Sequence, residues 1–147
     1  VADSICATGF ANVATRDNGF LGSGLYATSS AEYACLYATG AIDGESVPPN
    51  AAGEHVVIAA WAVPGMIYPL SRAVDYAPGE EFSKFYSPPP SPASALKSQF
   101  DAHYACISAD TYQVVEGIRT GNAPDFDEWV LREGLQLLPA YRMYFTC

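Results

Sequence analysis

One stretch near the start of the chain, FLGSGLYATSSAEYACLY at positions 20–37, limits the possible folds more than any other. Gly22 and Gly24 stand two apart and lead directly into Leu25 and Tyr26. Glycine adopts backbone conformations that other residues cannot, and it lets a ligand approach the backbone closely. Because a lone Gly-x-Gly is weak evidence, the pattern fits either a simple loop before a strand or a ligand-binding turn.

A helix is predicted directly after this turn. Ser29 or Ser30 suits the N-cap position, because a serine hydroxyl accepts a hydrogen bond from the backbone of the first helical turn. Tyr33 and Tyr37 are four residues apart, so they would share one face of the helix. These tyrosines are either core residues or part of a binding site, and the local sequence leaves both interpretations open.

Length and composition bound the class of protein. A chain of 147 residues, of which 50% are hydrophobic, predicts a single domain over positions 1–147 with a core of its own. No apolar run is long enough to predict a membrane span. Seven basic residues against 16 acidic ones give a net charge of −9, which disfavours nucleic-acid binding because phosphates would be repelled. No signal peptide is visible at Val1, which fits a cytoplasmic protein or a mature, processed one.

The four cysteines are widely separated along the chain and form no Cys-x-x-Cys pair; they are Cys6, Cys35, Cys106 and Cys147. A metal site is not expected, because zinc ligands usually come in closely spaced pairs. An even count fits two disulfides in a secreted protein, with three pairings open. Buried free thiols are the alternative. We expect secretion with disulfides, and a cytoplasmic location is the alternative.

Local signals predict these elements in the first half of the chain: a helix over 1–9 that ends at Gly9, a turn at 17–19, a helix over about 30–39 that ends at Gly40, and a loop over 40–53. The segment EHVVIAAWAV at 54–63 is apolar almost throughout and opens with β-branched residues. It therefore predicts a buried central strand with Trp61 in the core, continued by MIYPL at 66–70.

The second half of the chain contains a proline-rich stretch and several short strands. Five prolines make 72–99 a long irregular loop. His103 is expected to be a structural residue within one of two short strands, FDAHYACIS and TYQVVEG. Two further strands flank Gly134, and the continuous apolar run at 129–131 predicts that the first of them is covered on both faces. Few helices and many short strands predict an α+β domain with two packed, mixed or antiparallel sheets.

Motifs at the two ends of the chain form an ordered set. Near the start, GSGLYA at 22–27 is followed by SAEY at 30–33. Near the end, DEWVL at 127–131 contains an acid, an aromatic and two aliphatics, and Gln136 follows eight positions after Glu128. Together they resemble the second and the final motif of the ADP-ribosyltransferase fold, in the diphtheria-toxin-like branch that includes the poly(ADP-ribose) polymerases.

Two shorter segments, 5–10 and 100–103, also resemble parts of that family, so the resemblance touches most of the chain in the family's order. It implies an NAD-dependent enzyme without a metal, in which Glu128 is the catalytic carboxylate. The residues it implies for NAD binding are Gly22, Gly24, Tyr26, Ser30, Tyr33 and Tyr37.

The chemistry of NAD cleavage suits these residue types. Breaking the bond between nicotinamide and ribose builds positive charge on the sugar, as in glycoside cleavage. A carboxylate such as that of Glu128, held near the ribose hydroxyls, stabilises this charge and orients the acceptor. Nicotinamide is a flat aromatic amide, so tyrosine rings can stack on it while backbone groups beside glycines hydrogen-bond its amide.

The chain departs from the family pattern at one point. The family's first motif is a strand with His-Gly, or with Arg in the toxin branch, and it precedes the segment matched at 5–10. Neither His55 nor His103 lies in the right order to replace it, and Phe126 stands where a Glu-x-Glu pair would need an acid. Three explanations stay open: that strand is on a separate processed piece, the sequence is incomplete, or the motif is lost and the protein is a weak or inactive relative.

Three functions follow as hypotheses. The first is a mono-ADP-ribosyltransferase or NAD glycohydrolase, secreted and toxin-like. The second is a non-catalytic binding module of the same fold, with the loop 72–99 as its recognition surface. The third is a small defence protein that binds carbohydrate through Trp61 and Trp129, although both tryptophans lie in apolar strands where core placement is expected. The acceptor of ADP-ribose is not specified by the sequence, because acceptor choice resides in loops.

Overall fold

The computed structural model of the protein describes residues 1–10, 19–42, 44, 46–91, 94–115 and 124–147, which fall into two compact units. The first unit takes the described parts of Val1–Asn12, Ser30–Val63 and Gly134–Cys147, and the second unit those of Val13–Ser29 and Pro64–Glu133. The expectation of a single domain stays a prediction. Most of the turn predicted at 17–19 and the end of the TYQVVEG segment lie outside the described residues.

Short strands outnumber helices. In chain order the elements are α1 (Ala2–Thr8), β1 (Leu25–Ala27), α2 (Ala31–Thr39), β2 (His55–Ala62), β3 (Ile67–Pro69), α3 (Arg72–Asp75), β4 (Ala102–Ile107), β5 (Val114–Val115), β6 (Phe126–Leu131) and β7 (Leu137–Phe145), with a 3-10 helix at Gly134–Gln136. The described strands form two sheets, one in each unit. The predicted α+β class with few helices is therefore confirmed.

Helices α1 and α2 of the first unit begin and end where the local signals predict. The Ser30 hydroxyl caps α2 by accepting a hydrogen bond from the N–H of Tyr33 at 3.2 Å. Gly40 ends α2 in the left-handed conformation, with φ 77°, which glycine adopts without steric cost. Gly9 ends α1 with φ 83°, and its N–H donates to the carbonyl of Ile5 at 2.8 Å.

The prediction of a buried central strand at 54–63 is wrong. Within the described residues β2 pairs with β7 alone, in an antiparallel two-stranded sheet with a bulge between Ala59 and Ala60. Helix α2 packs against β2 and α1 packs against β7, yet the Trp61 side chain is 70% exposed rather than in the core. A continuous apolar run reveals hydrophobicity, but it does not reveal how many strands or helices cover the residues.

The segment MIYPL is not a continuation of β2. The turn at Pro64 and Gly65 leads instead into β3, a separate strand of the second unit, which pairs in parallel with β4. The Asp101 carboxylate fixes this turn by accepting a hydrogen bond from the N–H of Met66 at 2.9 Å. This contact joins residues 35 positions apart, so the local sequence carries no sign of it.

The sheet of the second unit has the strand order β1-β6-β4-β3, with β5 paired to β4. Strand β6 is antiparallel to both of its neighbours, and β3 is parallel to β4. Val130 and Leu131 are adjacent and therefore point to opposite faces, yet both are 0% exposed. This confirms the prediction that the strand at 129–131 is covered on both faces.

The described part of 72–99 is mostly irregular, as predicted, and it supplies buried residues to the second unit. Phe85 and Leu96 are buried, and the Phe85 ring lies 4.4 Å from that of His103. His103 is fully buried, and its Nε2 accepts a hydrogen bond from the N–H of Lys97 at 2.9 Å. Its Nδ1 therefore carries the proton and donates to the carbonyl of Leu21 at 2.8 Å. Burial lowers the pKa of His103, so this histidine is a neutral structural residue, as expected.

Candidate functional site

Glu128 and Tyr26 lie on the same face of the sheet in the second unit. Tyr26 of β1 pairs with Val130 of β6, and Val130 pairs with His103 of β4. His103 pairs in turn with Tyr68 of β3. Directly paired residues point to the same face, and Glu128 precedes Val130 by two, so it points there as well. We call this face, defined by these five residues, the Glu128 face.

The Tyr26 side chain is held in one orientation by the loop before it. Its hydroxyl donates to the carbonyl of Gly22 at 2.8 Å and accepts from the N–H of Leu21 at 3.0 Å. The ring lies so close to Gly19 that a Cβ atom there would come within 2.2 Å of it. The loop that carries the Gly-x-Gly motif therefore fixes the tyrosine that follows it.

Gly22 and Gly24 are buried and packed against their own chain. Gly22 has φ 114°, in the region that favours glycine. At Gly24 a Cβ atom would lie 2.6 Å from the carbonyl oxygen of Leu131 and 2.7 Å from a methyl of Val130, so only glycine lets β1 approach β6 this closely. This packing explains both glycines without a ligand, and their contact with NAD stays a prediction.

Asp127 anchors the turn after β1, a role that the sequence analysis missed. It points to the face opposite Glu128, because the two residues are adjacent on β6. Its carboxylate accepts hydrogen bonds from the hydroxyls of Thr28 at 2.9 Å and Ser29 at 2.7 Å, from the Ser29 N–H at 2.7 Å, and from the indole N–H of Trp129 at 3.2 Å. Burial alone would raise the pKa of Asp127, but the bonds from Ser29, Thr28 and Trp129 lower it.

Replacing Asp127 with Asn is expected to loosen this turn. Both carboxylate oxygens of Asp127 accept hydrogen bonds. The asparagine amide would place its NH2 group where one of these oxygens stands, so at least one donor would lose its acceptor. We expect a loss of about 1–2 kcal/mol in the free energy of unfolding, moderated by the exposure of Ser29. Urea denaturation measures the loss. Asp110→Asn, at an exposed carboxylate, is the control, and equal stability of the two variants would contradict the anchoring role.

Tyr76, which follows α3, lies within electrostatic reach of Glu128, and no sequence motif marks it or Arg72. The Tyr68 hydroxyl on the Glu128 face donates to Asp75 at 2.8 Å, which places the end of α3 over that face. Tyr76 is the next residue. Burial raises the pKa of Tyr76 to about 12; the Arg72 charge lowers it, whereas the Glu128 charge raises it. Tyr76 is therefore a neutral phenol that lies within electrostatic reach of both Arg72 and Glu128.

No protein-family model, curated protein or solved structure matches the chain. The resemblance to ADP-ribosyltransferases therefore rests on the motif residues themselves. Within the described residues, no three His, Cys, Asp or Glu side chains are grouped so as to hold a metal ion. None of the helices described is both long and apolar enough to cross a membrane. The structure forms no disulfide among the four cysteines, and the two expected disulfides stay a prediction.

The remaining motif residues, Ser30, Tyr33 and Tyr37, belong to the first unit. Tyr33 and Tyr37 share one face of α2 as predicted, with hydroxyls 3.4 Å apart and rings in an edge-on contact 5.1 Å between centroids. Tyr33 is buried, whereas Tyr37 is 41% exposed. Ser30 has a structural role as the N-cap. Their contacts with NAD stay predictions.

A substitution at Ser30 tests that structural role. Ser30→Ala removes the acceptor for the Tyr33 N–H and is expected to destabilise the protein by about 1 kcal/mol. Ser30→Asp keeps an acceptor at the cap and is expected to retain the original stability. Thermal unfolding followed by circular dichroism distinguishes the two variants. If alanine and aspartate behave alike, the hydroxyl does not contribute as a cap.

Proposed function

We propose that this chain is an NAD-consuming domain of the ADP-ribosyltransferase type, which transfers ADP-ribose to one acceptor group or to water. One observation carries the proposal. Glu128 and Tyr26, which belong to two motifs about 100 positions apart, come from adjacent paired strands and share one sheet face. The resemblance assigns both residues to NAD, and a shared face is what that assignment requires.

The reaction needs one anionic side chain near the ribose. The bond from ribose C1′ to the nicotinamide nitrogen breaks, and nicotinamide leaves as a neutral molecule with the bonding electron pair. The positive charge left on the sugar is stabilised by the Glu128 carboxylate. An acceptor oxygen or nitrogen then bonds to C1′, and its proton passes to Glu128 or to water.

Rigid surroundings favour this role for Glu128. It lies on β6, between β1 and β4 in the sheet, and its backbone neighbour Asp127 is fixed by four hydrogen bonds. Tyr26 is held by the hydrogen bonds of its hydroxyl. A carboxylate that is already in place when charge develops costs no reorganisation at that moment.

The experiment that tests the proposal follows nicotinamide release from NAD by the purified chain, by chromatography. In parallel, labelled NAD reveals whether the ADP-ribose appears on protein or as free ADP-ribose. Transfer to protein supports the transferase, and free ADP-ribose supports the glycohydrolase. Absence of NAD turnover by folded protein, whether or not NAD binds, would overturn the proposal in favour of a non-catalytic module. We further propose secretion and a toxin-like role. Secretion predicts disulfides, which mass spectrometry of the native protein can detect.

A further inference from the structure

Arg72, outside every motif of the resemblance, has a guanidinium group that is largely unused by its own unit. Within the described residues, this guanidinium donates one hydrogen bond, to the carbonyl of Glu80, at 3.4 Å. Its guanidinium carbon lies 5.0 Å from the centroid of the Tyr76 ring, in a cation–π contact. A guanidinium has five N–H donors in a flat fork, so most of them are left for another partner.

The other described basic side chains are engaged differently. Lys84 pairs with Asp75 at 2.8 Å, Arg142 pairs with Asp3, and Arg132 donates to the carbonyls of Phe100 and Lys97. Lys97 lies over the Tyr68 ring, with Nζ 4.2 Å from its centroid. Among the arginines that the structure describes, Arg72 is therefore the one that neither pairs with a carboxylate nor donates to two carbonyls.

The position of Arg72 relates it to the proposed reaction centre. Asp75, at the end of α3, accepts from Tyr68 on the Glu128 face, so α3 lies over that face. Tyr76 follows α3 and packs its ring against the Arg72 guanidinium. The Arg72 cation thus lies over a tyrosine that is also within electrostatic reach of the Glu128 carboxylate. This pair of charges matches a ligand whose phosphates lie next to a group that develops positive charge. The phosphates suit the arginine, and the developing positive charge suits the glutamate.

We propose that Arg72 binds the diphosphate of NAD and that the Tyr76 ring holds the guanidinium in position. The inference rests on the proposed function, and it adds a nucleoside-diphosphate contact that the motifs do not supply. A protein of net charge −9 repels two phosphates, and Glu128 adds to that repulsion near the site. The planar fork of arginine suits phosphate oxygens better than the point charge of lysine.

Arg72→Met is the test variant, with Arg142→Met as the control, because both remove an arginine cation and Arg142 belongs to the first unit, where it pairs with Asp3. We expect Arg72→Met to raise the KM for NAD about tenfold or more, with kcat nearly unchanged, and Arg142→Met to leave both unchanged. Arg72→Lys is expected to fall in between. Tyr76→Leu should raise the KM, whereas Tyr76→Phe keeps the ring and should not.

Calorimetric titration with ADP and with adenosine separates this inference from the proposed function. ADP should bind the parent and lose at least about tenfold in affinity with Arg72→Met, whereas adenosine affinity should not change. ADP binding that depends on Arg72 in a protein that releases no nicotinamide would keep the inference and reject the enzyme. Unchanged KM and unchanged ADP affinity in Arg72→Met, or no ADP binding by the folded parent, would overturn the inference.

Discussion

Glu128→Gln is expected to lower the rate of nicotinamide release by about 100- to 1000-fold, with little change in the KM for NAD. The substitution keeps the size of the side chain and its place on β6, but it removes the negative charge. The ground state of NAD has little need of that charge, whereas the sugar cation of the transition state does. The loss should therefore appear in kcat, which single-turnover measurements with saturating NAD can assign to the chemical step.

The matched control is Glu81→Gln, which neutralises an exposed glutamate of the same unit. It should retain the activity of the parent, and both variants should keep its unfolding temperature. A second comparison with Asp127→Asn distinguishes the neighbouring carboxylates. Asp127 points to the other face, so its loss should cost stability first and rate only through the position of Glu128. If Glu128→Gln releases nicotinamide as fast as the parent, Glu128 is not the catalytic carboxylate.

The predictable part of this fold is the part encoded within a few residues. The cap at Ser30 and the stop at Gly40 are signals that act within one helical turn, and both are found where predicted. The sharing of one helix face by Tyr33 and Tyr37 needs only the helical period. The resemblance, carried by two short motifs, likewise implies a common site for Tyr26 and Glu128, which share one sheet face.

The unpredicted features depend on contacts between distant parts of the chain. Asp127 meets Ser29 across 98 positions, and nothing beside Asp127 in the sequence marks it as the residue that anchors the turn. Helix α3, which carries Arg72, lies over the Glu128 face because Tyr68 on that face binds Asp75, and this depends on the pairing of β3 with β4. A local pattern proposes residue types for a site, but strand register decides which of them share a face.

Asp75→Asn is expected to destabilise the second unit by about 2–4 kcal/mol. The Asp75 side chain is 0% exposed and accepts from Tyr68 and Lys84 on one oxygen and from the Ser71 N–H on the other. An amide cannot accept on both sides, so at least one donor loses its partner. The loss is smaller than for a fully buried ion pair, because the Lys84 side chain is 48% exposed and its charge is hydrated once the partner is lost.

The measurement uses one tryptophan as a reporter of the second unit. The chain has two tryptophans, so Trp61→Phe leaves Trp129, on β6, as the source of fluorescence during urea denaturation. Asp110→Asn in this background is the control, and a loss equal to that of Asp75→Asn would contradict the role of the buried carboxylate. Asp75→Ala, unlike Asp75→Asn, introduces no amide N–H that would repel these donors. It is expected to be destabilised as well.

The pH dependence of stability provides an independent check of the same carboxylate. Burial alone would raise the pKa of Asp75, but the hydrogen bonds from Lys84, Ser71 and Tyr68 lower it below its ordinary value. The stability that Asp75 contributes is therefore full above its unfolded pKa of about 3.9 and is lost as the pH falls through the lower native value. The parent should lose stability steeply in that range, and Asp75→Asn should lose less, with the remaining slope due in part to Asp127. Identical slopes for the parent and the variant would mean that Asp75 does not fold as a charged group.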